Sequence, residues 1–219
     1  IYYPLFNFLT KLFFSKKISF FKTRAINDHY FGQFGVFLDQ PNYQQLIENV
    51  NTLMVMGYGF RDWTNMVKHQ DQIRTFFKPN ATHQHIIDQF FQDLLIRKYD
   101  VLVGVHIRRG DYREFKGGKY YFEDDAYSSA MGNMLEEFPD KNMGFLICSN
   151  EEIDIENFAG YNVHLGPGYF IQDLYALAKC DYIMGPPSTY SFWACFIGNS
   201  QILLLSTNNC KISLSDFAR

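Results

Sequence analysis

Cysteine, unbalanced charge and long apolar runs are all scarce in this sequence, and each scarcity removes a class of protein. Only four cysteines occur in 219 residues (Cys148, Cys180, Cys195 and Cys210), with no CxxC or Cys/His metal spacing. Three of them sit inside apolar patterns, where a small core thiol is the commoner state, so a reducing compartment is expected, with a cytoplasmic location. Lys and Arg number 20 against 23 Asp and Glu, giving a net charge of -3 and a pI near 6.1. That balance lacks the basic field a nucleic-acid partner requires. No stretch approaches the roughly 18 consecutive apolar residues of a membrane span. There is no internal repeat or low-complexity tract, and no small-residue cleavage site follows the apolar start.

What is present describes a globular chain rich in aromatics. Hydrophobic residues make up 47% and charged residues 20%, with 23 Phe and 15 Tyr. The length allows one large domain or two small ones, with mass enough for a proper core. Most of the aromatics are expected to be bulky core, although the same side chains also build sugar-stacking surfaces. The chain opens on Ile with an aromatic, mildly basic stretch over residues 1–17. That stretch fits peripheral contact with a membrane surface. It equally fits a core helix whose partner lies upstream, and the second reading is preferred.

The two halves differ in rhythm. Residues 51–56 read as a short strand running into the loop Gly57-Tyr58-Gly59-Phe60, and residues 63–77 as a helix closing at Lys78-Pro79-Asn80. A clearer helix covers about 82–98, with Ile86, Ile87, Phe90, Phe91, Leu94 and Leu95 on one face. Strands then alternate with helices: strands at 101–108, 143–148, 162–165, 181–184 and 201–205, helices at 121–138, 171–179 and 189–197. Such alternation implies βαβ units and a parallel sheet. The expected organisation is a partial, mostly helical acceptor-side region over 1–98 and a Rossmann-like domain over 99–219.

Chemistry is concentrated where these strands end. The run Val101-Leu-Val-Gly-Val-His106-Ile107-Arg108-Arg109-Gly110-Asp111 reads as a strand buried on both faces. Period-two alternation puts Val101, Val103, Val105 and Ile107 on one side and Gly104, His106 and Arg108 on the other. Arg108, Arg109 and Asp111 then emerge at the carboxyl edge of the sheet, where open α/β folds bind ligands. Two guanidiniums there suit a phosphorylated ligand, since each offers planar bidentate donors and keeps its charge. The plainer alternative is a surface Arg109–Asp111 ion pair beside a satisfied core histidine. The apolar strand feeding into Arg-Gly-Asp argues against an exposed adhesion loop.

Other strand ends carry weaker signals. Ser149 and Asn150 end one strand, and taken alone they read as a turn. The acidic stretch Glu151–Glu156 reads as a solvated face rather than a cation site. The loop Gly185-Pro186-Pro187 precedes Ser188 and Thr189, either of which can cap a helix whose N-terminus would attract an anion. Asp173 opens the preceding helix, where it favours the helix dipole and could also accept from the N–H groups of a purine. His164-Leu165-Gly166-Pro167-Gly168 reads as a plain turn.

Together these segments resemble a known family. His106-Ile-Arg108-Arg109-Gly110-Asp111-Tyr112 resembles the HxRRxD signature of the α1,2-, α1,6- and protein O-fucosyltransferase superfamily, particularly the α1,2-fucosyltransferases of glycosyltransferase family 11. Gly57–Phe60 with Ile73–Phe77, Phe145–Asn150, and Asp173–Asp181 with Pro187–Ala194 resemble further family segments in the right order, over roughly residues 50–205. The family's N-terminal GGLGNQ-type loop is absent, so a truncated acceptor-side domain is expected.

The resemblance implies a GT-B-like fold, GDP-fucose as donor, inversion at the anomeric carbon and no obligatory metal or other cofactor. It implies an α1,2 linkage to galactose on a glycan acceptor. Arg108 would contact the donor diphosphate and stabilise departing GDP, with His106 and Arg109 shaping that site. Ser149 and Asn150 fall in the donor-binding set, Asp173 would contact guanine, and Ser188, Thr189 and Tyr190 would hold phosphate or ribose. Asp111 and Glu114 are the carboxylates close enough to Arg108 to be weighed as general base, with Asp111 placed in the catalytic set. Two other functions fit the same residues: a transferase using another nucleotide sugar, and a non-catalytic nucleotide- or glycan-binding module. Oligomeric state is not written in the sequence.

Overall fold

The computed structural model describes residues 23–27, 36–48, 50–56, 59–95, 97–207, 213 and 216–217. The chain divides into two compact units, Ile1–Phe77 and Lys78–Arg219. The aromatic start, Gly57, Tyr58 and Cys210 lie outside the described residues.

In the first unit, β1 (Thr23–Asn27) and β2 (Val36–Phe37) precede α1 (Pro41–Glu48), followed by β3 (Thr52–Met56) and β4 (Phe60–Arg61). β1 pairs with β3 and β2 with β4, both in parallel. Ile26 and Tyr43 form its buried centre, with Leu38, Leu53 and Phe60 against them. Among the described residues of 1–98 helix outweighs strand; β3 is the strand expected over 51–56, whereas β1, β2 and β4 are unexpected, the last two being too short to display a period. The helix expected over 63–77 is two helices, α2 (Trp63–Lys68) and α3 (Gln70–Phe76). They break at His69 (φ -110°, ψ 15°), which closes the first and opens the second. Asp62 caps α2 by accepting from the Asn65 N–H.

The second unit runs α4 (Ala81–Leu95), β5 (Val101–Ile107), α5 (Asp124–Glu137), β6 (Met143–Ser149), β7 (Val163–Leu165), α6 (Phe170–Leu177), β8 (Tyr182–Gly185), α7 (Thr189–Gly198) and β9 (Gln201–Leu204). The domain boundary falls at 77/78 rather than at 98/99. The reason is α4: its Phe90 and Phe91 pack with Leu146, Leu177 and Ile183 on one face of the second unit's sheet. That face also carries α6 and α7, while α5 covers the other through Ala126, Tyr127, Ala130, Met131 and Met134. Val103, Val105 and Ile107 are wholly buried beneath α5. Each contributes roughly 1.5–3 kcal/mol of hydrophobic stabilisation.

The five strands are parallel in the order β7-β6-β5-β8-β9. From β5 the chain builds outward through β6 and β7, then returns to the far side of β5 for β8 and β9. The order reverses between β5 and β8, and their following segments leave toward opposite faces. A crevice at the carboxyl ends of those strands is the consequence, and ligands of open α/β sheets occupy that position. Two glycines permit the close packing around it. A Cβ on Gly104 would stand 2.7 Å from Leu177 Cδ2, and one on Gly185 would stand 2.5 Å from the His106 carbonyl oxygen.

Cys148, Cys180 and Cys195 are buried free thiols, and burial pushes the Cys148 and Cys180 thiols up. Among the described residues no helix is long and apolar enough to cross a membrane.

Gly185→Ala must push backbone against backbone, so it should destabilise the protein by about 1–3 kcal/mol. Urea unfolding monitored by circular dichroism measures this directly; an unchanged midpoint would contradict the close approach.

Candidate active site

The end of β5 sends its side chains alternately to two sides. His106 faces α7, where Nδ1 shares a 2.6 Å hydrogen bond with Ser191 Oγ. Its ring lies 5.0 Å from that of Tyr190 at 35°. Burial, followed by the nearby Arg108 charge, pushes the imidazole down to about 4, so His106 is neutral at physiological pH. Arg108 follows on the same side and remains partly open, its side chain 34% exposed. Its Nη2 lies 2.7 Å from Asp111 Oδ1, and its guanidinium carbon is 5.5 Å from the Tyr112 ring centroid. Tyr112 in turn donates a 2.6 Å bond to the Pro187 carbonyl, tying the turn after β5 to the loop after β8.

Arg109 does not join this edge. Its guanidinium is bound to Asp124 at the start of α5, and its side chain is only 11% exposed. Its backbone N–H donates to Asn150 Oδ1 at 2.8 Å. In place of the plainer alternative, an Arg109–Asp111 pair, there are two separate pairs, Arg108–Asp111 on the exposed side and Arg109–Asp124 on the buried side. Asn150 acts as a brace for the turn, and Ser149 accepts from the Glu151 N–H within its own turn at 3.1 Å. Neither side chain is brought to Arg108 by these bonds.

The loop after β8 behaves as read. Ser188 caps α7, its Oγ accepting from the Tyr190 N–H at 3.2 Å, and Thr189 is the first helical residue. The rest of the first-turn N–H groups have no partner within the helix and face out of its end. Tyr190 donates a 2.6 Å bond to the Phe170 carbonyl; burial pushes its hydroxyl up, with Cys148 and Asp173 adding to the effect.

Asp173 lies in the first turn of α6 and is buried. Its Oδ1 accepts from the Gly168 N–H at 2.8 Å. Burial raises its carboxyl above the ordinary value, and the Gly168 bond opposes that rise. A Cβ on Gly166 would stand 2.7 Å from both Asp173 Oδ1 and Cys148 Sγ, so this loop is pressed onto the carboxylate and is more than a plain turn. His106, Arg108, Asp111, Ser188, Thr189 and Tyr190 therefore form one edge, with Asp173 behind Tyr190. Glu114 closes the turn at 110–113. Among the described residues no group of three or more His, Cys, Asp or Glu is placed to hold a metal ion.

Sequence reasoning missed four contributors: Ser191, Tyr112, Asp124 and the Gly168 N–H. Ser191 lies three residues after the cap Ser188, on the turn of α7 that meets β5, and that spacing was the available signal. Asp124, in a first turn next to Asp125, looked like an ordinary dipole partner.

The parallel sheet with its switch point at an arginine edge has the GT-B-like fold. The sequence profile of glycosyl transferase family 11 matches residues 8–215. The chain belongs to that family. Among solved structures, POFUT1 in complex with GDP-fucose superposes with a TM-score of 0.50 at 10% identity, covering 74% of this chain and 56% of that one. A mutant of Arabidopsis thaliana FUT1 in complex with GDP gives 0.50 at 12% identity, covering 88% and 52%. The chain thus spans little more than half the length of these proteins. A search of curated proteins found no match.

The buried imidazole makes stability depend on pH. Its ordinary value of 6.5 applies to the unfolded chain and about 4 to the folded one. Above pH 6.5 both forms are neutral; between 6.5 and 4 only the unfolded chain takes the proton. Stability should therefore be complete above that window and fall by roughly 3 kcal/mol across it. In pH-dependent urea unfolding, His106→Gln should remove this component of the slope; identical slopes in both proteins would refute it.

Proposed function

We propose that this protein transfers fucose from GDP-fucose to a galactose hydroxyl of a glycan, forming an α1,2 linkage with inversion and without an obligatory metal. Membership of glycosyl transferase family 11 supports the reaction class. The GDP and GDP-fucose complexes of proteins with the same fold support the donor. The observation that carries the reading is Arg108: a partly open guanidinium at the switch point, beside the N-terminus of α7. Both present fixed positive charge to one place, which suits a diphosphate.

On this reading the acceptor oxygen attacks the anomeric carbon from the face opposite the diphosphate. The bond from that carbon to the β-phosphate oxygen breaks, and its electron pair leaves with GDP. The transition state is oxocarbenium-like, with negative charge building on the leaving diphosphate. Arg108 and the helix end are already oriented toward that charge, so little reorganisation accompanies the reaction. The acceptor's proton passes to a carboxylate. Asp111 suits that role, since its side chain is 63% exposed and a phosphate oxygen can replace it on Arg108. The neutral His106 supports Arg108 without adding a competing cation. Arg109 contributes through the turn it anchors. Asp173 offers the carboxylate that recognises the N–H edge of guanine.

The two arginines should separate in mutagenesis. Arg108→Ala should lower kcat by on the order of 10²–10³ with the unfolding midpoint unchanged. Arg109→Ala should cost roughly 3 kcal/mol of stability, because it leaves Asp124 in a largely buried place without its cation. Calorimetric titration with GDP-fucose, GDP-mannose and UDP-sugars tests the donor. Near-normal turnover by Arg108→Ala, or equal affinity for uridine and guanosine donors, overturns the proposal. Tight GDP binding without transfer to any acceptor would instead mark a nucleotide-binding module.

A further inference from the structure

The donor chemistry leaves one built cluster unused: the aromatic and basic segment that follows Arg108 directly. Tyr112 carries the Arg108 guanidinium over its ring at 5.5 Å. The Phe115 ring lies 5.2 Å from that of Tyr112 at 31°, and the Tyr120 ring lies 6.4 Å from Phe115 at 33°. The three rings are successive neighbours, the first of them against the arginine, and each step is on the scale of one sugar ring. The backbone is bent to hold them there. Lys116, Gly117 and Gly118 are all left-handed, with φ of 51°, 67° and 76°, a strained conformation for the lysine.

The row is open in part: Tyr112 is buried and Tyr120 is half-buried. Phe115 is 45% exposed, whereas Phe122 and Tyr127, a few residues on, are buried in the core. Among the described residues no carboxylate pairs with Lys116 or Lys119. Their ammonium groups rest beside the Phe115 and Tyr120 rings at 5.2–5.8 Å. Exposed contacts of this kind are weak and easily exchanged. Arg113 differs, being engaged by Glu151 at 3.7 Å and by the Tyr121 ring at 4.5 Å.

We propose that Phe115 and Tyr120 are the acceptor platform, stacking on the C–H faces of successive pyranose rings, while Lys116 and Lys119 donate hydrogen bonds to the saccharide's hydroxyl oxygens. This rests on the fucosyl-transfer reading above. A pyranose pairs an apolar face with a rim of hydroxyls, and the segment offers flat rings edged by mobile donors. A row one ring wide suits a chain of sugars better than the broad face of a protein partner. Because the row starts at Arg108, a saccharide lying along it brings its terminal hydroxyl toward the place where the donor's anomeric carbon would sit.

The test uses Phe115→Ala and Tyr120→Ala with a β-galactosyl-terminated oligosaccharide as acceptor. Each variant should raise acceptor KM by about tenfold, with kcat at saturation and GDP-fucose affinity unchanged. Phe115→Tyr should restore the wild-type KM. Saturation-transfer NMR on the wild type should mark the C–H protons of two adjacent pyranose rings, and the Phe115→Ala/Tyr120→Ala double variant should lose that signal. Unaltered acceptor KM and saturation transfer in the variants, or an equal loss of donor affinity, overturns the platform. Failure of the wild type to bind GDP-fucose would sink the functional reading instead, while saturation transfer would still report on the platform alone.

Discussion

The candidate site depends on how closely β5 and β8 approach at their carboxyl ends. At Gly185 there is no room for a Cβ, which would stand 2.5 Å from the His106 carbonyl oxygen. Across the same gap His106 and Ser191 share a 2.6 Å bond, so strand and helix are joined as well as packed. A histidine can occupy this place because it is neutral there; a buried imidazolium would need an anionic partner. With that junction fixed, Arg108 and the N-terminus of α7 lie at one edge, and Tyr112 closes the edge by donating to Pro187. A slack junction would leave the same residues in the sequence without a common target.

Strand alternation then gives adjacent arginines different work. Arg109 points to the face covered by α5 and is held by Asp124, which also accepts from Asn157 Nδ2 at 2.8 Å. Partners in such a largely buried network are costly to remove singly. Arg108 points the other way and meets Asp111, whose exposure keeps their attraction small. A ligand phosphate can therefore displace Asp111 at little cost, whereas it could not dislodge Asp124. Structural strength and chemical availability are kept apart on consecutive residues.

The second unit was largely legible because its strands are long, apolar and bounded by turn residues. Val101–Ile107 and Met143–Ser149 are buried through most of their length, so their runs are nearly continuous. The N-cap at Ser188 was legible too, since loop, cap and helix follow in a fixed order. The first unit was legible in part: the strand read over 51–56 is β3, whereas pairs such as Val36–Phe37 and Phe60–Arg61 are defined by distant partners and carry no period of their own. The fate of Arg109 was hidden for a related reason. Its direction follows from alternation past the strand's end, where a turn decides whether alternation continues. The ties of Ser191 to His106 and of Tyr112 to Pro187 span 85 and 75 residues, and no local pattern announces them.

On the proposed reading, Asp173 is the residue that would discriminate among nucleotides. Its carboxylate is buried, with Oδ1 held by the Gly168 N–H, and burial has raised its pKa. Burial disfavours the ionised form, so further donors to this carboxylate are stabilising. On the proposed reading, guanine supplies them through its adjacent N–H groups, so base binding relieves a cost built into the free protein. A base without that paired edge leaves the carboxylate buried and under-bonded. Sites built to hydrogen-bond a ligand reject analogues lacking the group far more strongly than apolar pockets reject a missing methylene. On that reading exclusion comes from the penalty left behind, and the glycine loop pressed onto Asp173 limits the space around Oδ1.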